Sequence, residues 1–243
     1  MRPIRPIRRL LNKIYVSRSL SSKPEIFRAQ ETVASFHTNS HYLTAYRDQE
    51  AYFWLPIPGW IEQDFATRPP ARCLDIGCSH GTLAVFCKQQ FSCQVCCTDF
   101  IPEYFNPALG ENLGIDFAIH NIELDPLPWP GLFDLIILTE VLEHFNFHPL
   151  PTLQKIRNCL APNGRFYLTT PDAQEWGRDE NLYSRLDQIP LPDPARPILD
   201  RHIYVYYKEE LINLVEYAGF RVIRFSYAPG IQYHHHALTL MTL

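Results

Sequence analysis

Nowhere does the chain string together the ~18 or more uncharged apolar residues that a bilayer-spanning helix requires, so none of its segments is a transmembrane helix. Cysteine occurs seven times but lacks the arrangement of a zinc site: Cys93 and Cys96 form one C-x-x-C, and no second pair at matching spacing accompanies it. The remaining cysteines also fall in apolar strand and helix patterns, where free cysteine packs as a small hydrophobe. Residues 1–20 lack the continuous apolar stretch of a signal peptide. A reducing compartment, the cytoplasm, is therefore expected, and no metal site. Three successive histidines, His234, His235 and His236, lie in a terminal strand pattern where neighbours point to opposite faces, which assigns them a structural place.

Acidic side chains are almost missing from the start of the chain. Glu25 is the one carboxylate among residues 1–28, against eight Lys/Arg, which leaves 14 basic and 25 acidic side chains beyond. An acidic body repels nucleic acid, and the basic arm carries no motif of a nucleic-acid module. No nucleic-acid partner is expected. In that arm Ile4, Ile7, Leu10, Leu11 and Ile14 recur at helical spacing opposite Arg5, Arg8, Arg9 and Lys13. Pro3 and Pro6 start the helix near residue 6. Three readings of residues 6–20 stay open: a helix packed on the domain, a basic helix lying peripherally on an anionic membrane, and a transit peptide.

What the chain does have is enough apolar material, 46% of 243 residues, for one α/β domain with additions. Residues 1–68 read as a basic amphipathic helix followed by a helical cap, with "PEIFRAQETVASFH" and "HYLTAYRDQEAYFWLPIPGWIEQDF" as helices, the second broken near Pro56 and Pro58. From 69 to 243, short apolar runs alternate with amphipathic ones, the pattern of a mostly parallel sheet covered on both faces. The strands are "RCLDIG", "SCQVCCTD", "IDFAIHN", "FDLIILTE", "GRFYLTT", "FRVIRFSYA" and "HALTLMTL", with the last two pairing antiparallel. Helices are expected over 81–90, after Pro102, and over 149–160 and 208–218. Residues 170–200, rich in proline and without periodicity, form a substrate loop or lid.

The stretch "LDIGCSHG" (74–81) has three possible readings. Gly77, Ser79 and Gly81 spell the G-x-S-x-G of a hydrolase elbow, but no strand or oxyanion loop precedes it, and the partners it would need, Asp172 and His202, are unremarkable. A dinucleotide loop needs a third glycine, and a pyrophosphate there would meet the carboxylate of Asp75. A ligand with a positive charge, an ammonium or a sulfonium, suits Asp75 better.

That block resembles motif I of the class I S-adenosylmethionine-dependent methyltransferases, hydrophobic-Leu-Asp-x-Gly-Cys-Gly-x-Gly, with Ser79 in place of the middle glycine. The resemblance continues in order through "LPWPGLFDLIILTEVLEHF", "LAPNGRFYLTTPD" and "DRHIYVYYKEELINLVEYAGFRV", and covers about residues 70–228. It implies a Rossmann-like, seven-stranded, mostly parallel sheet with helices on both faces, the last strand antiparallel and an N-terminal helical extension. It further implies S-adenosyl-L-methionine as cofactor, held by Asp75, Gly77, Cys78, Ser79 and Gly81, by Asp99 (ribose hydroxyls) with Phe100, by Asn121 (adenine) with Ile122, and by Glu140. His144, four residues beyond Glu140, is a candidate general base, and His202 is a second, with Arg201 and Tyr204 as acceptor contacts. Tyr204 stands where many relatives have arginine. The expected activity is methyl transfer to a small-molecule acceptor, at oxygen. The alternatives are a lipid or quinone-like acceptor at a membrane surface and a catalytically inactive binding protein on the same fold. The sequence leaves the oligomeric state open.

Overall fold

The computed structural model describes residues 5–21, 24–37 and 42–243; Ile4, Lys23 and His41, which took part in the sequence patterns, lie outside them. Among the described residues the extension forms four helices, α1 (Arg5–Ser21), α2 (Pro24–Phe36), α3 (Arg47–Trp54) and α4 (Pro56–Asp64), with a π-helical turn over Tyr42–Tyr46. The break between α3 and α4 falls where the prolines demand it: Pro56 has no amide to donate to α3, and begins α4 instead.

Seven strands follow: β1 (Arg72–Ile76), β2 (Gln94–Asp99), β3 (Ile115–Ile119), β4 (Phe133–Thr139), β5 (Leu160–Pro171), β6 (Phe220–Ala228) and β7 (His235–Thr242). Their order is β3-β2-β1-β4-β5-β7-β6, with β1 to β5 parallel and β7 antiparallel to both β5 and β6. This is the expected sheet. Between the strands run α5 (Thr82–Phe91), α6 (Pro107–Leu113), α7 (Pro149–Cys159), the short α8 (Ala173–Trp176) and α9 (Lys208–Tyr217). The helix expected after Pro102 begins at Pro107, where Asn106 accepts the Ala108 amide as N-cap and the proline takes the first helical position.

Strand β4 shows why the sequence reads as a continuous apolar run. Leu135 and Ile137 point into one buried layer, with Cys73, Cys97 and Tyr167 and with α2, α4 and α5; Ile136 and Leu138 point into the other, with Leu74, Cys96 and Phe166 and with α7 and α9. Side chains alternate across a strand, so a strand buried on both faces must be apolar at every position. The cysteines belong to these layers: Cys96 and Cys97 go to opposite faces, and all seven are free thiols. The extension shares the first layer through Ile26, Val33, Tyr42, Trp54 and Ile61.

Strand order reverses between β1 and β4, which open their carboxyl ends side by side. Ligands in open α/β sheets bind at such a switch point. Asp134 fixes the opposite end of the pair by accepting the Ala71 and Arg72 amides. The proline-rich stretch is held over the sheet edge by Ile189, which is buried, and by Asn146, which exchanges two hydrogen bonds with Leu199. Ile136, fully buried at the centre, tests the layer account. Ile136→Ala is expected to destabilise the fold by about 2 to 5 kcal/mol in denaturant unfolding, without shifting the slope of the transition.

Candidate active site

The loop after β1 turns through three left-handed residues, Gly77 (φ 69°), Ser79 (φ 49°) and Gly81 (φ 89°). Glycine is required at the first. A Cβ on Gly77 would stand 2.3 Å from Val141 Cγ2, so the bend presses directly against the chain leaving β4. Ser79 keeps the turn by adopting the left-handed region itself, and its side chain bonds Tyr46. The amides of the loop are used internally: Gly77 and Cys78 donate to the Thr98 carbonyl, Ser79 to Asp99 Oδ2 and Gly81 to the Cys78 carbonyl. Gly81 acts as the N-cap of α5 rather than as a wall of the crevice.

Three connected hollows of about 330, 40 and 30 Å³ open at this loop and all touch Gly77. The second is walled by Asp99, Phe100, Asn121 and Ile122, which the structure thus brings together as expected. Asp99 ends β2 and accepts the Ser79 and Ile101 amides, one on each carboxylate oxygen. Burial raises its carboxyl above the usual range while those amides oppose the shift. Each oxygen keeps a lone pair for a hydroxyl. The third hollow holds Asp75, Cys78, Ser79 and Glu140 with Glu50 of α3. Asp75 accepts the Ala84 amide in the first turn of α5, and burial pushes it up to about 7, helped by Asp99. Glu50, which sequence reasoning missed, ties three elements together: its Oε1 accepts Gln30 Nε2 at 2.8 Å, Thr82 Oγ1 at 3.0 Å and the Tyr42 hydroxyl at 3.5 Å. Burial pushes it, too, up to about 7. No signal in the sequence marked it, because α3 has no clear apolar stripe from which the burial of Glu50 could be read.

The largest of these three hollows is a chamber walled by Glu140, His144, His202 and His235. Glu140 leaves β4 with φ 56°, and the residues after it form a 3-10 turn, Leu142–His144; Glu140 and His144 face the same chamber. Glu140 Oε2 lies 2.6 Å from His235 Nδ1, so one of the three histidines assigned a structural place by the sequence walls the site. His144 and His202 meet edge to face with ring centroids 5.0 Å apart, and Asp200 Oδ1 lies 3.5 Å from His144 Nδ1. Burial lowers the His144 imidazole against the pull of Asp200 and Glu140, and takes His202, with His144 beside it, down to about 4. Both are neutral at pH 7. Glu143, buried by the chamber wall, is driven well up by burial and by Glu140 and bonds Thr170. Where no metal was expected, Glu143, His144 and His202 can bring one ligand atom each within 4.8 Å of one another, a nitrogen–oxygen set able to hold a divalent cation.

Arg201 and Tyr204 are not brought to the chamber. Arg201 bonds the Glu180 carbonyl, and Tyr204 is buried on Tyr206 with its hydroxyl on Glu210 and the Arg178 guanidinium over its ring. The tyrosine that departs from the arginine of relatives therefore serves packing. The hydrolase reading has no triad: Ser79 pairs with Tyr46, and Asp172 with His234 and His236. Asp172 sits below the ordinary carboxylate range because hydrogen bonds from those histidines outweigh its burial.

Among the described residues, no lysine or arginine walls any of the three hollows, while Glu50, Asp75, Asp99, Glu140, Glu143 and Asp200 do. Glu140 Oε1, His235 Nε2 and His144 Nδ1 are shielded and without a hydrogen-bond partner. A ligand with cationic and hydroxyl groups satisfies such a crevice, and a pyrophosphate does not. The nucleoside with a sulfonium and an ammonium matches these walls. Residues 49–224 match the family described as "Methyltransferase domain". The chain belongs to that family, the class I S-adenosylmethionine-dependent methyltransferases that its loop resembles. Curated relatives named ubiquinone biosynthesis O-methyltransferase, from Xanthomonas campestris pv. campestris, are 31% identical over 106 residues, 42% of this chain and 44% of theirs. One from Xanthomonas euvesicatoria pv. vesicatoria is 30% identical over 41% of this chain and 43% of its own. The match thus spans less than half of those relatives. The fold is shared with Burkholderia thailandensis 1,6-didemethyltoxoflavin-N1-methyltransferase, solved with bound 1,6-didemethyltoxoflavin and S-adenosylhomocysteine (TM-score 0.60, 19% identity, 88% of this chain and 86% of that one). It is shared as well with magnesium protoporphyrin IX methyltransferase from Synechocystis PCC 6803 (TM-score 0.59, 15% identity, 85% and 89%).

The buried acids of this methyltransferase domain make its stability depend on pH. Glu50, Asp75 and Glu123 are each pushed up to about 7, whereas in the unfolded chain such groups lose their protons near pH 4. Between these values the folded state holds protons the unfolded state has released, so stability falls as pH rises from about 4 through about 7. The ligand-free protein is expected to melt lower at pH 8 than at pH 5, and Glu50→Gln, which keeps an acceptor oxygen, to reduce that difference.

Proposed function

We propose that this methyltransferase moves the methyl group of S-adenosylmethionine onto a hydroxyl oxygen of an uncharged small molecule. The observation that carries this reading is the wall of carboxyl and imidazole groups, free of lysine and arginine among the described residues, which welcomes a sulfonium and repels acidic acceptors. The relatives named ubiquinone biosynthesis O-methyltransferase favour oxygen and an acceptor of quinone type. An acceptor of lipid or quinone-like character, met by peripheral contact of residues 6–20 with a membrane, belongs to the same proposal.

When bound, the cofactor supplies an already activated methyl on a sulfonium. The chain's own work is placement and proton handling. Asp99 would hold the ribose hydroxyls, Asn121 and Ile122 the adenine, and the small hollow of Asp75 and Glu50 the ammonium. Alignment of this kind contributes up to about 7 to 11 kcal/mol to lowering a two-reactant barrier. His144, neutral and with Nδ1 beside Asp200, accepts the hydroxyl proton, and the carboxylate stabilises the imidazolium that results. His202, with its imidazole lowered to about 4, is the weaker base and positions the His144 ring. Trp176 and the proline-rich segment cover the chamber against water.

His144→Ala is expected to lower turnover by about 100- to 10,000-fold while S-adenosylmethionine affinity changes only a few-fold by calorimetric titration. Turnover equal to that of the unaltered protein removes the base role. If S-adenosylmethionine gives no heat of binding while NAD does, the methyl-transfer reading fails altogether.

A further inference from the structure

Helix α1 meets the domain with the wrong side for a core helix. Its seat is made by Arg8, Asn12 and the buried Val16: Arg8 pairs with Glu175 at 2.7 Å and reaches His234 Nδ1 at 3.2 Å, and Asn12 Nδ2 donates to the carbonyls of Pro229 and Gly230. Its apolar stripe points away. Ile7, Leu10, Leu11, Ile14 and Tyr15 are 51, 59, 57, 42 and 58% exposed, and span an arc of about 140° at ~100° per residue. A helix that packs on its own domain buries its stripe; this one is clamped by polar contacts with the stripe left outside.

The charge beside the stripe selects its occupant. Arg9 and Lys13 lie exposed along one edge, and the first 28 residues hold eight Lys/Arg against one Glu on a chain that is otherwise acidic. Apolar residues flanked by basic ones suit the boundary between the headgroups and acyl chains of an anionic bilayer, where the stripe enters the lipid and the cations meet phosphate. The seat is also continuous with the chamber. Glu175 precedes Trp176, and His234 precedes His235, both chamber residues. We infer that the outer face of α1 is a docking surface for an anionic lipid bilayer, which holds the chamber next to the membrane for an acceptor dissolved in lipid. This inference rests on the membrane part of the proposal above and names the face and the lipid charge.

Sedimentation of the whole protein with vesicles of phosphatidylcholine, with and without phosphatidylglycerol, tests it. Binding to the phosphatidylglycerol vesicles is expected to exceed binding to phosphatidylcholine alone by at least about tenfold and to weaken with salt. Leu10→Asp with Leu11→Asp is expected to abolish it, and Arg9→Gln with Lys13→Gln, which leaves the stripe intact, to cut it several-fold. S-adenosylmethionine titration of the same variants should match the unaltered protein, which separates loss of docking from loss of the methyl-transfer reading. No binding of the unaltered protein to either vesicle overturns the inference, and so does binding that neither double variant changes. A dimer in sedimentation velocity that Leu10→Asp with Leu11→Asp dissolves also overturns it, because a second copy would then be the occupant.

Discussion

Desolvated carboxylates at the open end of β1 and β4 are the constraint from which the rest of the site follows. Burying an anion without a partner is costly, and these carboxyls respond by holding protons until about neutral pH or by taking backbone amides. Such a group is kept in reserve for a cation. With no lysine or arginine among the described walls, the positive charge has to arrive with the ligand. The same feature that favours a cationic ligand therefore also disfavours acidic ones.

The fold serves this constraint from three directions. The Gly77 turn, pressed on Val141, brings the ends of β1 and β4 together, so that Asp75 and Glu140 share one hollow. The extension closes it from the side: Glu50 and Tyr42 reach Thr82 at the start of α5, while Tyr46 bonds Ser79. Strand β7 returns from the far edge to set His235 against Glu140. The helices α2, α3 and α4 share a core layer with the sheet, so the cap and the walls of these hollows are packed together.

Part of this was legible in the sequence because it depends on local pattern. Continuous apolar runs predicted strands buried on both faces, as β4 bears out, and Asp75 beside the Gly77 turn pointed to a ligand with a positive charge, whereas the family resemblance pointed to S-adenosylmethionine and to Asp99. What escaped depends on pairings far apart in the chain. His235 becomes a chamber residue through the antiparallel return of β7, and Glu50 becomes a buried tie through the docking of α3 on α5; neither follows from spacing. Tyr204 illustrates the converse. Its segment carries family resemblance, yet the side chain turns into the packing beside Arg178 instead of toward the acceptor. The orientation of α1 was likewise hidden, since periodicity identifies an apolar stripe but not which way it faces.

The central claim is that protonated buried carboxyls give way to a cationic ligand. It is tested most directly by titrating the protein with S-adenosylmethionine at pH 7 in buffers of different ionisation enthalpy. Binding that releases protons, seen as an observed enthalpy that tracks the buffer, is the predicted result, because the arriving charge lowers the carboxyls of Asp75 and Glu50 from about 7. An enthalpy identical in every buffer would contradict the account.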